Sequence, residues 1–253
     1  GTFVYAGMSF KEGSPFRDEN VRWAFEYAID RQSLVDNVLS GGTVPKSEAL
    51  ELFGENMGYD PDLEPYTYDP DLSRELLAEA GWTDTDGDGL VDKNGETMKL
   101  EIGCTSRESD NRMLEAAQNY LRQVGIDVSM ALLESAAFND RLAAEDFQAY
   151  VLTISQDSPE PALLIDFAYT SYAGYNKFGY NNPEVDALVL EANSTADQET
   201  RKELYIQIQQ LIKEDYVSLP FYSKYSQVGV SSKVEGFTHS AAIFNLENVR
   251  VKK

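Results

Sequence analysis

Acidic side chains alternate with small residues between positions 84 and 92, in the order Asp84-Thr-Asp86-Gly-Asp88-Gly-Leu-Val-Asp92. Carboxylates at positions 1, 3, 5 and 9 of such a loop, with glycine at position 6, match the spacing of a calcium-binding loop. The twelfth position holds Gly95 in place of a bidentate glutamate, and Asn94-Gly95 is typical of a type I′ hairpin turn. Two interpretations stay open: a structural calcium ion held by Asp84, Asp86, Asp88 and Asp92, or a tight acidic turn without an ion.

A second polar stretch follows an apolar, β-branched run at residues 150–154, which has the composition of a buried strand. Pro159 and Pro161 end the run, because proline cannot donate a ladder hydrogen bond. In α/β sheets, ligands bind beyond the carboxyl ends of the strands. The stretch is therefore a candidate binding loop, although an ordinary strand-to-helix turn is the better explanation of these residues when they are taken alone. Its polar residues are Ser155, Gln156, Asp157 and Ser158.

The residue inventory excludes several kinds of catalytic site. A single histidine, His239, excludes a histidine-based zinc cluster. The sequence contains no HExxH, GxSxG or GxxxxGK[ST] motif. Cys104 is the one cysteine, so no intramolecular disulfide forms. Carboxylates are abundant, which leaves a carboxylate-pair hydrolase as a remote alternative even though no particular pair stands out.

Composition predicts a folded and strongly acidic protein. The chain has 253 residues, enough for one large domain or two modest ones, and 42% of them are hydrophobic. Acidic residues outnumber basic ones 43 to 21, giving a formal charge of −22. This charge opposes binding to nucleic acid or to anionic lipid. No apolar run reaches the ~20 residues of a membrane span. The first residues do not have the pattern of a signal peptide, and the strand-like segment after Gly1 predicts a processed or excised chain.

Hydrophobic periodicity and capping signals predict alternating strands and helices around the two polar stretches. The middle of the chain reads β-α-β-α-β-α, the pattern of an α/β layered domain. Thr195 with Gln198 is typical of a capping box before a long helix. Strands are predicted at 2–10, 98–102, 126–132, 150–154 and 218–230. The first helix is predicted to begin after Asp18 and to end at Gly41-Gly42. Further helices are predicted after Asp69-Pro70, at 110–123, at 136–144 and after Asn182-Pro183.

Several segments, taken in chain order, resemble one protein family. They are Val21-Arg22 with 28–31, Tyr68-Asp69-Pro70 with 76–82, 125–128, 180–186, and Leu219-Pro220. Together they are similar to the extracytoplasmic solute-binding proteins of family 5, which supply dipeptides, oligopeptides or nickel to ABC importers. The resemblance covers nearly the whole chain. Its individual motifs are short, and their common order carries the assignment.

The resemblance implies an α/β fold, namely a class II periplasmic-binding-protein-like lobe with a mixed sheet flanked by helices. Members run to about twice this length and close two lobes on the ligand. The chain corresponds to their C-terminal portion. Residues 1–14 would be a strand crossing from the first lobe and 15–219 the second lobe. Residues 220–253 would form a crossing strand and a C-terminal segment that belongs to the absent first lobe.

By the same resemblance the protein is a substrate-binding component of an ABC importer that captures peptides, and it is not an enzyme. Asp157 would make a charge-assisted contact to a ligand ammonium group. Ile154 stands where dipeptide-binding relatives carry a tryptophan. The other implied ligand-binding residues are Ser155, Gln156 and Ser158, which would offer hydrogen bonds, and Tyr172, Tyr175 and Asn176, which would line the wall of the cleft.

A nickel or nickel-chelate binding protein of the same fold is the main alternative. The ending, residues 244–251, is similar to the nickel branch, but the loop at 155–161 lacks the aromatic residues and histidine of that branch. The implied partners are a small solute and ABC permease subunits, with no nucleic acid, and we expect a monomer. No cofactor is required, and a structural calcium ion at the acidic loop stays one of the two open interpretations. The implied location is extracytoplasmic, either periplasmic or lipid-anchored at the outer face of the cytoplasmic membrane.

Overall fold

The computed structural model describes residues 2–39, 60, 62–64, 66–106, 108–155, 165–166, 168–224, 229–240 and 243–252. A mixed five-stranded sheet in the order β5-β4-β6-β1-β7 forms the centre of the fold. Strands β4, β5 and β6 run parallel, and β1 is antiparallel to both β6 and β7. The strands are β1 (Thr2–Met8), β2 (Asp92–Lys93), β3 (Glu96–Thr97), β4 (Lys99–Thr105), β5 (Asp127–Leu133), β6 (Ala149–Ser155), β7 (Ser218–Lys224), β8 (Val234–Glu235), β9 (Thr238–Ser240), β10 (Ile243–Asn245) and β11 (Arg250–Val251).

Side-chain caps begin most of the helices, as the sequence predicts. The carboxylates of Asp18 and Asp69 and the amide oxygen of Asn182 accept backbone N–H groups of the first helical turn. The helices are α1 (Glu19–Tyr27), α2 (Arg31–Ser33, continued by a π-helix at Leu34–Leu39), α3 (Pro70–Glu79), α4 (Glu108–Gln123), α5 (Ser135–Ala143), α6 (Pro183–Ser194) and α7 (Gln198–Asp215). No helix within the described ranges is long and apolar enough to cross a membrane.

Two helix predictions are wrong in detail. The single helix expected after Asp18 is interrupted, because α1 ends at Tyr27 and the carboxylate of Asp30 caps α2 by accepting from Ser33 N at 2.9 Å. Its predicted end at Gly41-Gly42 lies outside the described residues. The predicted capping box is also absent: Asp197 caps α7, and the Thr195 hydroxyl instead donates to Glu191 O at 2.7 Å, at the end of α6.

Helices cover both faces of the sheet, which explains why its central strands carry buried apolar side chains on both faces. Alternate residues of β1 point to opposite faces, with Val4 and Ala6 in one core cluster and Tyr5 in the other. The first cluster contains residues of α1, α3 and α4. The second contains residues of α5, α6 and α7. The run at 150–154 is therefore a central strand, as predicted, and it is buried at Tyr150 and Val151 and half-buried from Leu152 to Ile154.

The two segments predicted to cross between lobes are paired strands of this sheet. β1 lies between β6 and β7, with Thr2 opposite both Ser155 and Lys224. The predicted boundary at residue 220 falls inside β7, and the β1–β7 register shifts there between Val4 and Tyr5. Crossing segments can also be sheet strands, so the lobe assignment of these residues stays a prediction.

The C-terminal strands form two small ladders of their own. β8 pairs with β11, and β9 pairs with β10. Leu246 and Val251 are 64% and 71% exposed, so this part of the chain displays apolar side chains to solvent.

Candidate functional site

The carboxyl ends of the three parallel strands meet at one edge of the sheet. Thr105 of β4 lies opposite Leu133 of β5, and the β4–β5 pairing continues through a hydrogen bond from Ser106 N to Leu133 O at 2.9 Å. β6 ends beside them at Ser155, which pairs with Thr2 at the start of β1. We call this the carboxyl edge; it is defined by Thr2, Thr105, Leu133, Ser155 and Lys224.

Apolar side chains become progressively more exposed toward the carboxyl edge. Tyr150 is buried at 1% exposure, whereas Leu152 and Ile154, on the same face of β6, are half-buried. Leu133 is also half-buried, and Leu132 is 40% exposed. A partly open apolar wall next to polar loop residues is the usual lining of a ligand site.

Only the start of the predicted binding loop belongs to the described part of the chain. Gln156, Asp157 and Ser158 lie outside the described residues, and for Ser155 only the backbone is described, as the last residue of β6. The start of the loop is nevertheless fixed at the carboxyl edge by the pairing of Ser155 with Thr2. The loop therefore leaves the sheet at the edge where ligands bind in α/β folds.

The three predicted wall residues belong to a loop at the opposite edge of the sheet. The Asn176 amide donates to Thr170 O at 2.9 Å and to Tyr180 O at 2.7 Å, and it accepts from Tyr180 N at 3.1 Å. These bonds hold the loop at 170–180 together. Tyr172 and Tyr175 are exposed on the same loop, at 53% and 46%.

Contacts to β1 and β6 fix the position of this loop. Phe10 N, just beyond the end of β1, donates to Phe178 O at 2.7 Å, and the Phe178 ring stacks on Tyr150 near the start of β6. Ser155 lies five residue steps along the strand from Tyr150, which is about 17 Å at about 3.3 Å per residue. The structure thus does not bring Tyr172, Tyr175 and Asn176 together with Ser155.

A charged groove of about 420 Å³ also lies at that opposite edge. Lys11 pairs with Glu145 at 2.7 Å, and Arg141 pairs with Glu101 at 2.5 Å. Arg141 also contacts Asp146 at 3.1 Å, and its hydrogen bond to Glu101 raises the pKa of the guanidinium. We call this the charged groove; its lining is Ser9, Lys11, Glu12, Gly13, Ser14, Glu101, Arg141, Glu145, Asp146, Phe147 and Gln148.

No pattern in the sequence indicates the charged groove. Its residues come from the segment after β1, from β4, from α5 and from the α5–β6 turn, and no short motif links segments so far apart. Both of its cations are already held by carboxylates of the groove itself. These ion pairs give the groove a structural role, and its four carboxylates, Glu12, Glu101, Glu145 and Asp146, outnumber its two cations.

Three of the four predicted metal-binding carboxylates converge. One oxygen each of Asp84, Asp86 and Asp88 lie within 4.8 Å of one another on the exposed loop. Asp92 is engaged elsewhere, because it accepts from Thr85 N at 2.9 Å and from the Thr85 hydroxyl, and these bonds lower its pKa. The loop closes at Asn94 and Gly95, whose φ values of 56° and 81° confirm the predicted type I′ turn between β2 and β3.

Comparison with known proteins gives one consistent family. A sequence model described as "Bacterial extracellular solute-binding proteins, family 5 Middle" matches residues 1–176. The oligopeptide-binding protein AppA of Bacillus subtilis is 30% identical over 97% of this chain and 46% of its own length. The nickel-binding periplasmic protein of Escherichia coli is 30% identical over 88% of this chain and 42% of its own length.

Solved structures give the same result. AppA from Bacillus subtilis in complex with a nonapeptide superposes with a TM-score of 0.85 at 28% identity, over 100% of this chain and 51% of that one. NikA from Brucella suis in complex with Fe(III)-EDTA superposes with a TM-score of 0.78 at 26% identity, over 88% of this chain and 45% of that one. The chain spans about half the length of the curated relatives that it matches. The predicted fold class is confirmed.

Proposed function

Since the chain belongs to the family 5 bacterial extracellular solute-binding proteins, we propose that it forms one ligand-capturing lobe of a peptide-binding protein of an ABC importer. The full protein would hold the peptide between this lobe and a second one and deliver it to the permease subunits. Binding and release need no chemical step, so the proposed protein is not an enzyme. It would act as a monomer outside the cytoplasmic membrane, either free in the periplasm or lipid-anchored.

The partly open apolar wall at the carboxyl edge carries this proposal. Leu133, Leu152 and Ile154 are half-buried where the predicted loop leaves β6. A ligand or a second lobe that covered them would remove apolar surface from water, at about 25 cal/mol per Å². The similarity to a protein solved with a nonapeptide extends over the whole chain and favours a peptide as the ligand.

We propose that Asp157 binds the amino terminus of the peptide, with Ser155, Gln156 and Ser158 supplying hydrogen bonds. Calorimetry on the full-length protein tests this with one peptide in free and N-acetylated forms. A charge-assisted hydrogen bond is worth about 1.5–3 kcal/mol, so Asp157→Asn should weaken binding of the free peptide by about ten- to a hundredfold.

Two comparisons make the calorimetric test specific. Acetylation of the peptide should weaken its binding to the wild-type protein by as much as Asp157→Asn weakens binding of the free peptide. In the Asp157→Asn variant, acetylation should cause no further loss of affinity. Glu160→Gln, which neutralises the other carboxylate of the stretch, is the matched control and should leave the affinity unchanged. Equal losses from both substitutions would contradict a specific role for Asp157.

A nickel chelate is the second candidate ligand, and it is favoured by the 30% identity to the Escherichia coli nickel-binding protein. Equilibrium dialysis of the full-length protein against peptides and against nickel–chelator mixtures separates the two ligands. Retention of nickel chelate together with no retention of peptide would replace the leading proposal. The reverse result would support it.

We further propose that the C-terminal segment covers part of the first lobe in the complete protein. The exposed Leu246 and Val251 support this, because isolated strand pairs are marginally stable without a packed face. In the full-length protein, amides of β8 to β11 should exchange with solvent more slowly than in this chain. Equal exchange in both would count against the lobe assignment of residues 220–253.

The acidic loop is proposed to bind a structural calcium ion through Asp84, Asp86 and Asp88. Their convergence within 4.8 Å supports this, since hard cations take several carboxylate oxygens. The Tm of this chain should fall on addition of EDTA and recover with calcium. Asp86→Asn should remove this dependence. A Tm that does not respond to EDTA would contradict the proposal.

A further inference from the structure

A buried ionic cluster joins the end of α1 to the start of β7. Glu26 is fully buried, and Arg31 is only 4% exposed. One carboxylate oxygen of Glu26, Oε2, accepts from Arg31 Nη2 and from the hydroxyl of Tyr216, which is also fully buried. The other oxygen, Oε1, is buried and has no hydrogen-bond partner in the described part of the chain. Half of this carboxylate is therefore poorly solvated.

Arg31 also forms a hydrogen bond at a place where the pairing of the sheet is irregular. Its Nε donates to Pro220 O in β7. At this point Tyr5 lies opposite Pro220 and Val4 lies opposite Tyr222, so Phe221 is the extra residue of a β-bulge. A bulge disrupts the ladder locally, and the buried guanidinium satisfies the Pro220 carbonyl there.

The bulge matters for the carboxyl edge because of where it lies. Beyond it, Tyr222 to Lys224 pair with Thr2 to Val4, and Thr2 in turn pairs with Ser155. The contact at Pro220 thus helps to set the direction of the half of β7 that reaches the carboxyl edge. No residue of the cluster takes part in the proposed ligand contacts.

Charged and titratable groups surround Glu26 from several elements. Arg31 of α2 and Lys213 of α7 face it, and both cations lie over the Tyr66 ring, at 5.2 Å and 5.5 Å. Tyr27 lies next to it on α1 and Tyr216 precedes β7. Lys213 is itself faced by Asp60 and Glu64.

Burial dominates the electrostatics of this cluster. It raises the pKa of Glu26 to about 7, and the opposing attraction of Arg31 and Lys213 compensates only in part. Burial likewise raises the pKa of Tyr27, with a further contribution from Glu26, and it lowers the pKa of Lys213. A proton on Glu26 thus relieves a desolvation cost larger than the attraction to Arg31 that it removes.

We propose that Glu26, Arg31 and Tyr216 form a proton-sensitive clamp on the β7 bulge, in which ionised Glu26 holds Arg31 against Pro220 and protonated Glu26 releases it. Protonation leaves the Arg31 charge buried beside Lys213 without a counter-ion, which is unfavourable for a buried cation. Arg31 then moves toward solvent, and the Pro220 carbonyl loses its donor. The clamp is a regulatory device of the fold and makes no use of the peptide.

Backbone amide NMR of this chain, without ligand, tests the clamp between pH 5.5 and 8.5. The amides of Tyr5, Phe221 and Tyr222 should shift with a common midpoint near 7. In Glu26→Gln, a neutral replacement of similar shape, they should stay near their wild-type low-pH positions at every pH. The proposal would be overturned if the wild-type amide chemical shifts did not change with pH, or if they titrated in Glu26→Gln as they do in the wild type. Because no ligand is present, this failure is separate from failure of the proposed function.

Two further variants keep the test decisive if Glu26→Gln fails to fold. Tyr216→Phe removes one donor to the ionised carboxylate, so the midpoint should move to higher pH. An unchanged midpoint in Tyr216→Phe would contradict the clamp. Glu145→Gln, which alters an exposed ion pair of the charged groove, should leave the midpoint where it is in the wild type; a shift there would also contradict it.

Discussion

The two edges of the central sheet differ in what they leave unsatisfied. At the charged groove, Lys11 and Arg141 are each paired with carboxylates of the same groove. At the carboxyl edge, Leu152 and Ile154 are half-buried apolar side chains. The groove is concave, but its two cations are already engaged in ion pairs within the groove. The carboxyl edge has surface that becomes more favourable when covered, which is the property a ligand-capturing lobe needs.

The largest expected effect is on the peptide affinity of the full-length protein, which should depend on the carboxyl edge and not on the charged groove. Ile154→Asp places a charge in the proposed apolar wall, and it should weaken peptide binding by about a hundredfold, since burying an unpaired charge is costly. Calorimetry measures the change. Arg141→Gln in the charged groove is the matched variant and should leave the affinity unchanged. A larger loss from Arg141→Gln would reverse the assignment of the two edges.

Packing beneath the charged groove should give the next largest effect, on stability alone. A Cβ at Gly103 would lie 2.3 Å from the Phe147 ring, which also lies under the Arg141 guanidinium. Gly103→Ala should therefore lower the free energy of unfolding by about 1–3 kcal/mol in urea denaturation. Gly174→Ala has open space around the new methyl group and is the control. Similar changes in the free energy of unfolding for Gly103→Ala and Gly174→Ala would show that the contact between Gly103 and Phe147 is not tightly packed.

The buried pair between Glu26 and Arg31 should make stability depend on pH. The pKa of Glu26 is raised from 4.5 to about 7, so the folded state binds its proton more tightly than the unfolded state. Proton binding to Glu26 therefore stabilises the folded state. This stabilisation is fully present below about pH 4.5 and is lost as pH rises through 7, by at most about 1.4 kcal/mol per pH unit. Urea denaturation at several pH values should show this slope in wild type relative to Glu26→Gln. Parallel curves would contradict it.

The smallest expected effect concerns the exposed pairs of the charged groove. Lys11 and Glu145 are both 41% exposed, so their pair is well screened by solvent. A double-mutant cycle with Lys11→Met and Glu145→Gln should give a coupling of about 0.2–1 kcal/mol that shrinks at high salt. A coupling of several kcal/mol that resists salt would mean that the groove is more enclosed than its exposure indicates.

Local signals predicted much of the fold. The caps at Asp18, Asp69 and Asn182, the turn at Asn94-Gly95 and the strand β6 all depend on neighbouring residues, and all are confirmed. The capping box failed because Asp197, a stronger acceptor three residues before Thr200, competes with Thr195 for the start of α7.

Tertiary placement was harder to predict. Asn176 follows Ser155 by only 21 residues, yet its loop is anchored at the far end of β6 by Phe10 and Tyr150. The charged groove and the Glu26–Arg31–Pro220 contact join segments far apart in the chain. A single sequence holds no short-range signal for such contacts. Three of the four predicted carboxylates did converge, because a nine-residue loop keeps them close in space.

Methyl NMR of the full-length protein during peptide titration tests the central claim most directly. Methyl groups of Leu133, Leu152 and Ile154 at the carboxyl edge report on the proposed wall, and Leu142 of α5, buried in the second core cluster, is the internal reference. We predict saturable shifts of the three carboxyl-edge residues with little change at Leu142. Peptide binding without a response at Leu133, Leu152 and Ile154 would contradict the assignment of the carboxyl edge as the ligand-facing wall.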